Sequence, residues 1–102
     1  MVILTEENFD SEVLQSETPV LVDFWADWCP PCKMLTPVLE EVAAAHPEIK
    51  IGKVNADEQP VLAVSYKVAY LPTLLLFNKG EIVRKEVGFH ERDEIENFIK
   101  LS

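Results

Sequence analysis

Val20-Leu21-Val22-Asp23-Phe24-Trp25-Ala26-Asp27-Trp28-Cys29-Pro30-Pro31-Cys32-Lys33 passes from an apolar run straight into a pair of cysteines. The first six residues are mostly β-branched, aromatic or leucine, the composition of a strand covered on both faces, as in a parallel sheet. Behind the cysteines, Leu35, Val38, Leu39 and Val42 recur at helical spacing, which predicts a helix beginning near Pro31 or Cys32. Pro37 lies inside that helix and should kink it, because it lacks an N–H and crowds the preceding turn. Pro47 stops it. The cysteines therefore stand where a buried strand gives way to a helix N-terminus. Partial positive charge and free N–H groups at that place favour thiolate over thiol. Two intervening residues let the second sulfur resolve a mixed disulfide formed by the first. A C-x-x-C pair at a strand-to-helix junction is a strong redox signal.

On either side of this stretch, strand and helix signals alternate. Val2-Ile3-Leu4 reads as a short strand, followed by a helix capped by Thr5 with Phe9 and Val13 on one face. Ile49 to Asn55 is a third strand, and Asp57 is placed to cap a short helix carrying Val61, Leu62 and Val64. Thr73 to Phe77 is a fourth strand. Asn78-Lys79-Gly80 turns it into a fifth, Ile82 to Val87, and so short a turn requires an antiparallel pair. The last helix buries Ile95, Phe98 and Ile99, with acids in its first turn and Lys100 near its end. The order βαβαβαββα predicts an α/β fold, a mixed five-stranded sheet flanked by four helices, in one domain over residues 1–102.

The formal net charge of −9, from eighteen acids against nine bases, makes nucleic acid and anionic membranes poor partners. No apolar run reaches the length of a membrane span. The N-terminus has no basic start and turns acidic at Glu6-Glu7, so a full-length product of this kind is expected in the cytoplasm. A mature form with a leader removed would look the same. In a reducing cytosol, two cysteines three apart point to catalysis rather than to a staple. A structural zinc site needs four ligands, and beyond this pair there are only His46 and His90, far apart in sequence. Haem attachment requires histidine after the second cysteine, where Lys33 stands. No metal and no cofactor are expected.

The segment W-A-D-W-C-P-P-C-K resembles the active site of the thioredoxin family, in which W-C-G-P-C-K is the common form. The resemblance covers nearly the whole chain. Asp23 and Phe24 precede the motif as they do in that family, Pro37 matches the proline of the following helix, and Lys53-Val54-Asn55 resembles the third strand. Leu71-Pro72-Thr73 matches the cis-proline loop and Val87-Gly88-Phe89 the glycine segment before the last helix.

The resemblance implies a thioredoxin fold and a thiol–disulfide oxidoreductase reducing disulfides of cytosolic target proteins. It implies that Cys29 attacks, Cys32 resolves, Asp23 exchanges protons with Cys32, and Lys53 lies close enough to influence Asp23. Pro72 would be cis and face the disulfide. Trp28, Leu71, Gly88 and Phe89 would form the docking surface for targets, with Pro30, Pro31 and Tyr70 beside them. The implied partners are disulfide-containing proteins and an NADPH- or ferredoxin-linked thioredoxin reductase, and the implied state is a monomer.

The residues themselves support part of this. Asp23 is the only charge in a strand expected to be covered on both faces, so its pKa should be raised. Without the resemblance, Trp28 would be read as core, Pro72 as a turn proline, Lys53 as a solvated strand residue, and both histidines as surface residues. Pro30 stands where the family most often has glycine, and Tyr70 where it usually has a small residue. The two prolines remove two backbone donors, leaving the N–H groups of Cys32 and Lys33 to stabilise a Cys29 thiolate. Two other functions stay open: a disulfide oxidant or isomerase of an oxidising compartment, and a binding module without redox turnover.

Overall fold

Val20–Trp25 is the central strand, β2, of a five-stranded sheet in the computed structural model, which describes residues 1–101. Ser102, the last residue of the expected domain, lies outside the described residues. The other strands are β1 (Val2–Ile3), β3 (Lys50–Asn55), β4 (Thr73–Asn78) and β5 (Glu81–Val87), in the spatial order β1-β3-β2-β4-β5. β3 pairs parallel with β1 and β2, whereas β4 pairs antiparallel with β2 and β5. The sheet is therefore mixed, as the alternation of elements predicts. Three α-helices, α1 (Pro30–Ala45), α2 (Pro60–Ser65) and α3 (Arg92–Phe98), and a π-helical turn at Asp10–Leu14 complete the four helical elements.

Side chains alternate across a strand, and β2 shows this directly. Leu21 packs with Leu35, Leu39 and Val42 of α1 and Ile95 of α3, whereas Val20, Val22 and Phe24 pack with Phe9, Val13 and Leu62 on the opposite face. Asp23 shares the parity of Leu21, and Lys53 that of Ile51, so both belong to the α1 side of the sheet. The β4–β5 connection uses positive φ at Lys79 (53°) and Gly80 (82°), the handedness that two-residue hairpin turns demand. A Cβ at position 80 would also meet the Leu14 carbonyl oxygen at 2.9 Å.

Gly52 is buried in β3, beside Val2 and Val22, and a Cβ there would fall 2.5 Å from Leu4 Cδ1. Leu4 is itself fully buried, and its side chain would have to shift to make room. Gly52→Ala should therefore cost on the order of 1–3 kcal/mol through overpacking. The check is the urea midpoint, which should fall with an unchanged m-value.

Several local expectations are corrected. The first helix is a π turn closed by Gln15 N–H donating to the Asp10 carbonyl at 2.9 Å. Thr5 does not cap it: the N-cap is Phe9, without a side-chain cap, and Thr5 Oγ1 accepts from the Asn8 N–H at 3.4 Å in the turn before, while Phe9 and Val13 are buried as expected. Asp57 does not cap α2. The N-cap is Gln59, and Asn55 Oδ1 instead accepts from the N–H groups of Asp57 (3.0 Å) and Glu58 (3.2 Å). Of the three apolar residues expected inside α2 only Leu62 is buried, because a six-residue helix has one inward row. Helix α1 begins at Pro30 and continues through Pro37 to Ala45.

Lys100 lies past the end of α3, and the cation at that helix end is Arg84 of β5. Its Nη1 donates to the carbonyls of Phe98 (2.8 Å), Asn97 (3.3 Å) and Lys100. The histidines are half-buried rather than free at the surface. His46 Nε2 lies 2.8 Å from Glu96 and Nδ1 3.2 Å from Glu48, fastening the end of α1 to α3. His90 Nδ1 lies 3.0 Å from the Gly88 carbonyl.

Candidate functional site

β2 delivers the chain to Cys29, which takes extended backbone angles (φ −101°, ψ 104°), as a residue before proline prefers. Pro30 and Pro31 follow at the first two positions of α1. Their missing N–H groups cost little there, since the first turn has no intrahelical acceptor for them. Cys32 comes one position later, and a disulfide joins it to Cys29, with the α-carbons 5.3 Å apart. The Cys29 sulfur acts as the helix cap by accepting the Cys32 N–H at 3.3 Å. The Lys33 N–H does not serve the sulfur. It donates to the Cys29 carbonyl at 3.2 Å, an ordinary helical bond, so one backbone donor rather than two faces the sulfur. Both cysteines are buried, with 3% and 1% of their surface exposed, and exposure alone does not separate them.

Asp23 has no exposed surface, and neither of its carboxylate oxygens has a hydrogen-bond partner among the described residues. Burial pushes its pKa up to about 7, against the opposing pull of the Lys53 ammonium. Asp23 and Lys53 are register partners on β2 and β3. The Lys53 Nζ donates to Thr36 Oγ1 at 3.0 Å and lies 4.5 Å from the centre of the Trp25 ring. Thr36 Oγ1 in turn donates to the Cys32 carbonyl at 3.3 Å.

Strand registers bring the remaining segments to one end of the sheet. Phe24 faces Thr73, and Thr73 faces Val87, so the exit of β2, the entry to β4 and the exit of β5 are neighbours. The Leu71–Pro72 peptide is cis, and the Pro72 carbonyl accepts the Gly88 N–H at 2.8 Å. Gly88 has φ 92°, a conformation open to glycine but strained for other residues. Around this end Trp28 (68% exposed), Tyr70 (71%) and Phe89 (37%) present aromatic surface. Pro30 and Pro31 are exposed and Leu71 is half-buried. The Trp28 ring is fixed by its Nε1–H donating to Asp57 Oδ2 at 2.9 Å.

Thr36 and the Trp25 ring have no role in the sequence reading, and Asp57 has only that of a helix cap. Thr36 stands four residues after Cys32, the spacing at which a threonine hydroxyl reaches back to a helix carbonyl, and that was the signal available. Nothing in the sequence paired Asp57 with Trp28. Among the described residues no group of three or more His, Cys, Asp or Glu side chains is arranged to hold a metal ion, and no helix is long and apolar enough to cross a membrane.

A disulfide at a helix N-terminus, with a buried carboxyl on the side of the sheet that the helix covers, fits a thiol–disulfide exchange site. The family model "Thioredoxin" matches residues 1–101. The chain belongs to the thioredoxin family. It is 47% identical over 96 residues to "Thioredoxin C-2" of Corynebacterium nephridii, covering 93% of this chain and 89% of that one. To a "Thioredoxin" of Chlamydia pneumoniae it is 46% identical over 97 residues, 95% and 93% of the two chains. To that of Rickettsia bellii (strain RML369-C) it is 42% identical over 97 residues, 94% and 92%. As a member of that family, the chain is a thiol–disulfide oxidoreductase, and the family's partners are disulfide substrates and a thioredoxin reductase.

Proposed function

We propose that this thioredoxin reduces disulfides of cytoplasmic proteins as a monomer, with Cys29 as nucleophile, Cys32 as resolving thiol and Asp23 as the proton acceptor. The Cys29 thiolate attacks one sulfur of a target disulfide, forming a mixed disulfide and releasing the other target sulfur as thiolate. The Cys32 thiol gives its proton to ionised Asp23 and attacks the Cys29 sulfur. The second target sulfur leaves and is protonated, the target gains two electrons, and Cys29–Cys32 becomes the disulfide. An NADPH- or ferredoxin-linked reductase returns the two electrons. Lys53 moderates the affinity of Asp23 for its proton. Trp28, Pro30, Pro31, Tyr70, Leu71, Gly88 and Phe89, with cis Pro72, form the surface on which a target segment rests. Tyr70 adds a bulky exposed ring to that surface and so either reshapes or extends it.

The observation that carries this reading is the sulfur of Cys29 capping α1 while an unpaired carboxyl lies buried on the α1 side of the sheet. Trapping tests it. Cys32→Ser should hold target proteins from a lysate as mixed disulfides that dithiothreitol releases, and Cys29→Ser should hold none. Equal yields from the two variants would remove the assignment. A double Ser variant that still captured the same proteins would favour a docking module without turnover.

A further inference from the structure

Thr36 occupies a bridging position that the reaction as proposed above leaves unused. Its single hydroxyl accepts from Lys53 Nζ at 3.0 Å and donates to the Cys32 carbonyl at 3.3 Å, within the one-donor, two-acceptor capacity of a hydroxyl. The Trp25 ring holds the same ammonium from another side, 4.5 Å from its centre. Lys53 also borders a cavity of about 380 Å3 that is lined by Asp27 and Glu58 as well as Trp25 and Asn55. The charged groups around the ammonium are thus Asp23 on the neighbouring strand and Asp27 and Glu58 across that cavity. Helix α1 brings the Thr36 hydroxyl, and its charges nearest to Thr36 are Lys33 and Glu40, one turn before and one turn after it and both exposed.

We propose that Thr36 is a positioning residue for thiol–disulfide exchange: its hydroxyl tethers the Lys53 ammonium to the first turns of α1 and thereby sets how strongly Asp23 holds its proton. The inference rests on Asp23 serving as the proton acceptor. An ammonium is strongly hydrated and sits on a flexible stem, so without the tether it moves to the wet side, toward Asp27 and Glu58. Asp23 then loses part of the favourable field of the Lys53 ammonium, and its neutral form gains.

The test is the carboxyl titration of Asp23, followed by carbon NMR in the oxidised protein, where no thiol titrates. Thr36→Val keeps the volume and β-branching of the side chain and removes only the hydroxyl. Its Asp23 midpoint should rise by about half a pH unit, roughly threefold in proton affinity. Thr36→Ser restores a hydroxyl and should return the midpoint to the wild-type value. In a Lys53→Met background Thr36→Val should add nothing, since the cation it positions is gone. An unchanged or lowered midpoint in Thr36→Val would overturn the proposal, as would the same rise with Lys53 absent. The titration needs no turnover, so the two ideas fail separately. If Asp23→Asn turns over normally while the Thr36→Val shift persists, the proton-acceptor role is lost and the tether stands.

Discussion

Reduced protein treated with a limiting alkylating reagent near pH 7 should be labelled at Cys29 at least about tenfold faster than at Cys32. Burial does not produce this difference, because both sulfurs are nearly covered. Ionisation does. Cys29 stands just outside α1, where its sulfur accepts the Cys32 N–H and meets the positive end of the helix. Cys32 is already inside the first turn, and among the described residues its sulfur accepts no hydrogen bond. An unperturbed thiol is only about 3% ionised at pH 7, whereas one lowered to near 7 is about half ionised, a gain of roughly tenfold or more. The same asymmetry predicts that Cys29→Ser abolishes reduction of protein disulfides, while Cys32→Ser retains the first attack and stalls. Labelling at equal rates would mean that the helix terminus does not select the nucleophile.

Asp23→Asn should make the oxidised protein more stable at neutral and alkaline pH and should slow turnover. The folded carboxyl has its pKa at about 7, against 3.8 for the free group, because burial penalises the charged form. Between these values the unfolded chain releases a proton that the folded chain keeps. Stability therefore falls as pH rises from about 4 to about 7, and the full penalty is present above. The gap corresponds to about 4 kcal/mol as an upper figure. Asparagine cannot ionise, and its buried amide replaces a protonated carboxyl that was equally unpaired. The gain from Asp23→Asn should accordingly be near zero at pH 4, grow through pH 7 and level off above it. His46, whose proton is held more tightly through its bonds to Glu96 and Glu48, also contributes stability that declines as pH rises. That contribution is common to both proteins and cancels in the comparison. Urea midpoints of the pair, measured from pH 4 to 9, provide the check. A constant difference across that range would place Asp23 in contact with water.

The strands, their order and the place of the cysteines were legible because apolar runs, short turns and a C-x-x-C at a β-to-α junction are local signals. β2 is buried on both faces, and its single charge was visible as an anomaly before any coordinates. What escaped the sequence depends on contacts between distant segments. Arg84 reaches the carbonyls ending α3 from another element, so Lys100, the nearer cation in sequence, was the wrong choice. Asp57 was read as a cap from its position before a helix, yet Asn55 supplies the turn and the carboxylate is held by Trp28. The Lys33 N–H was counted toward the sulfur because the helix was expected to start later. With α1 starting at Pro30, that donor already belongs to the helix. The cysteine pair could be found from type and spacing, but the surroundings that tune it could not.

The two margins of the sheet bear on how the molecule behaves in crowded solution. An unpaired strand edge is a template on which another chain can add, and long, flat, apolar edges seed aggregation. Here one margin, β1, is only two residues long, and the other, β5, interleaves Ile82, Val83 and Val87 with Glu81, Arg84, Lys85 and Glu86. With a net charge of −9 repelling like molecules, neither margin offers a site for strand-by-strand growth. A short margin on one side and a charge-studded one on the other thus guard a five-stranded sheet against edge-to-edge addition.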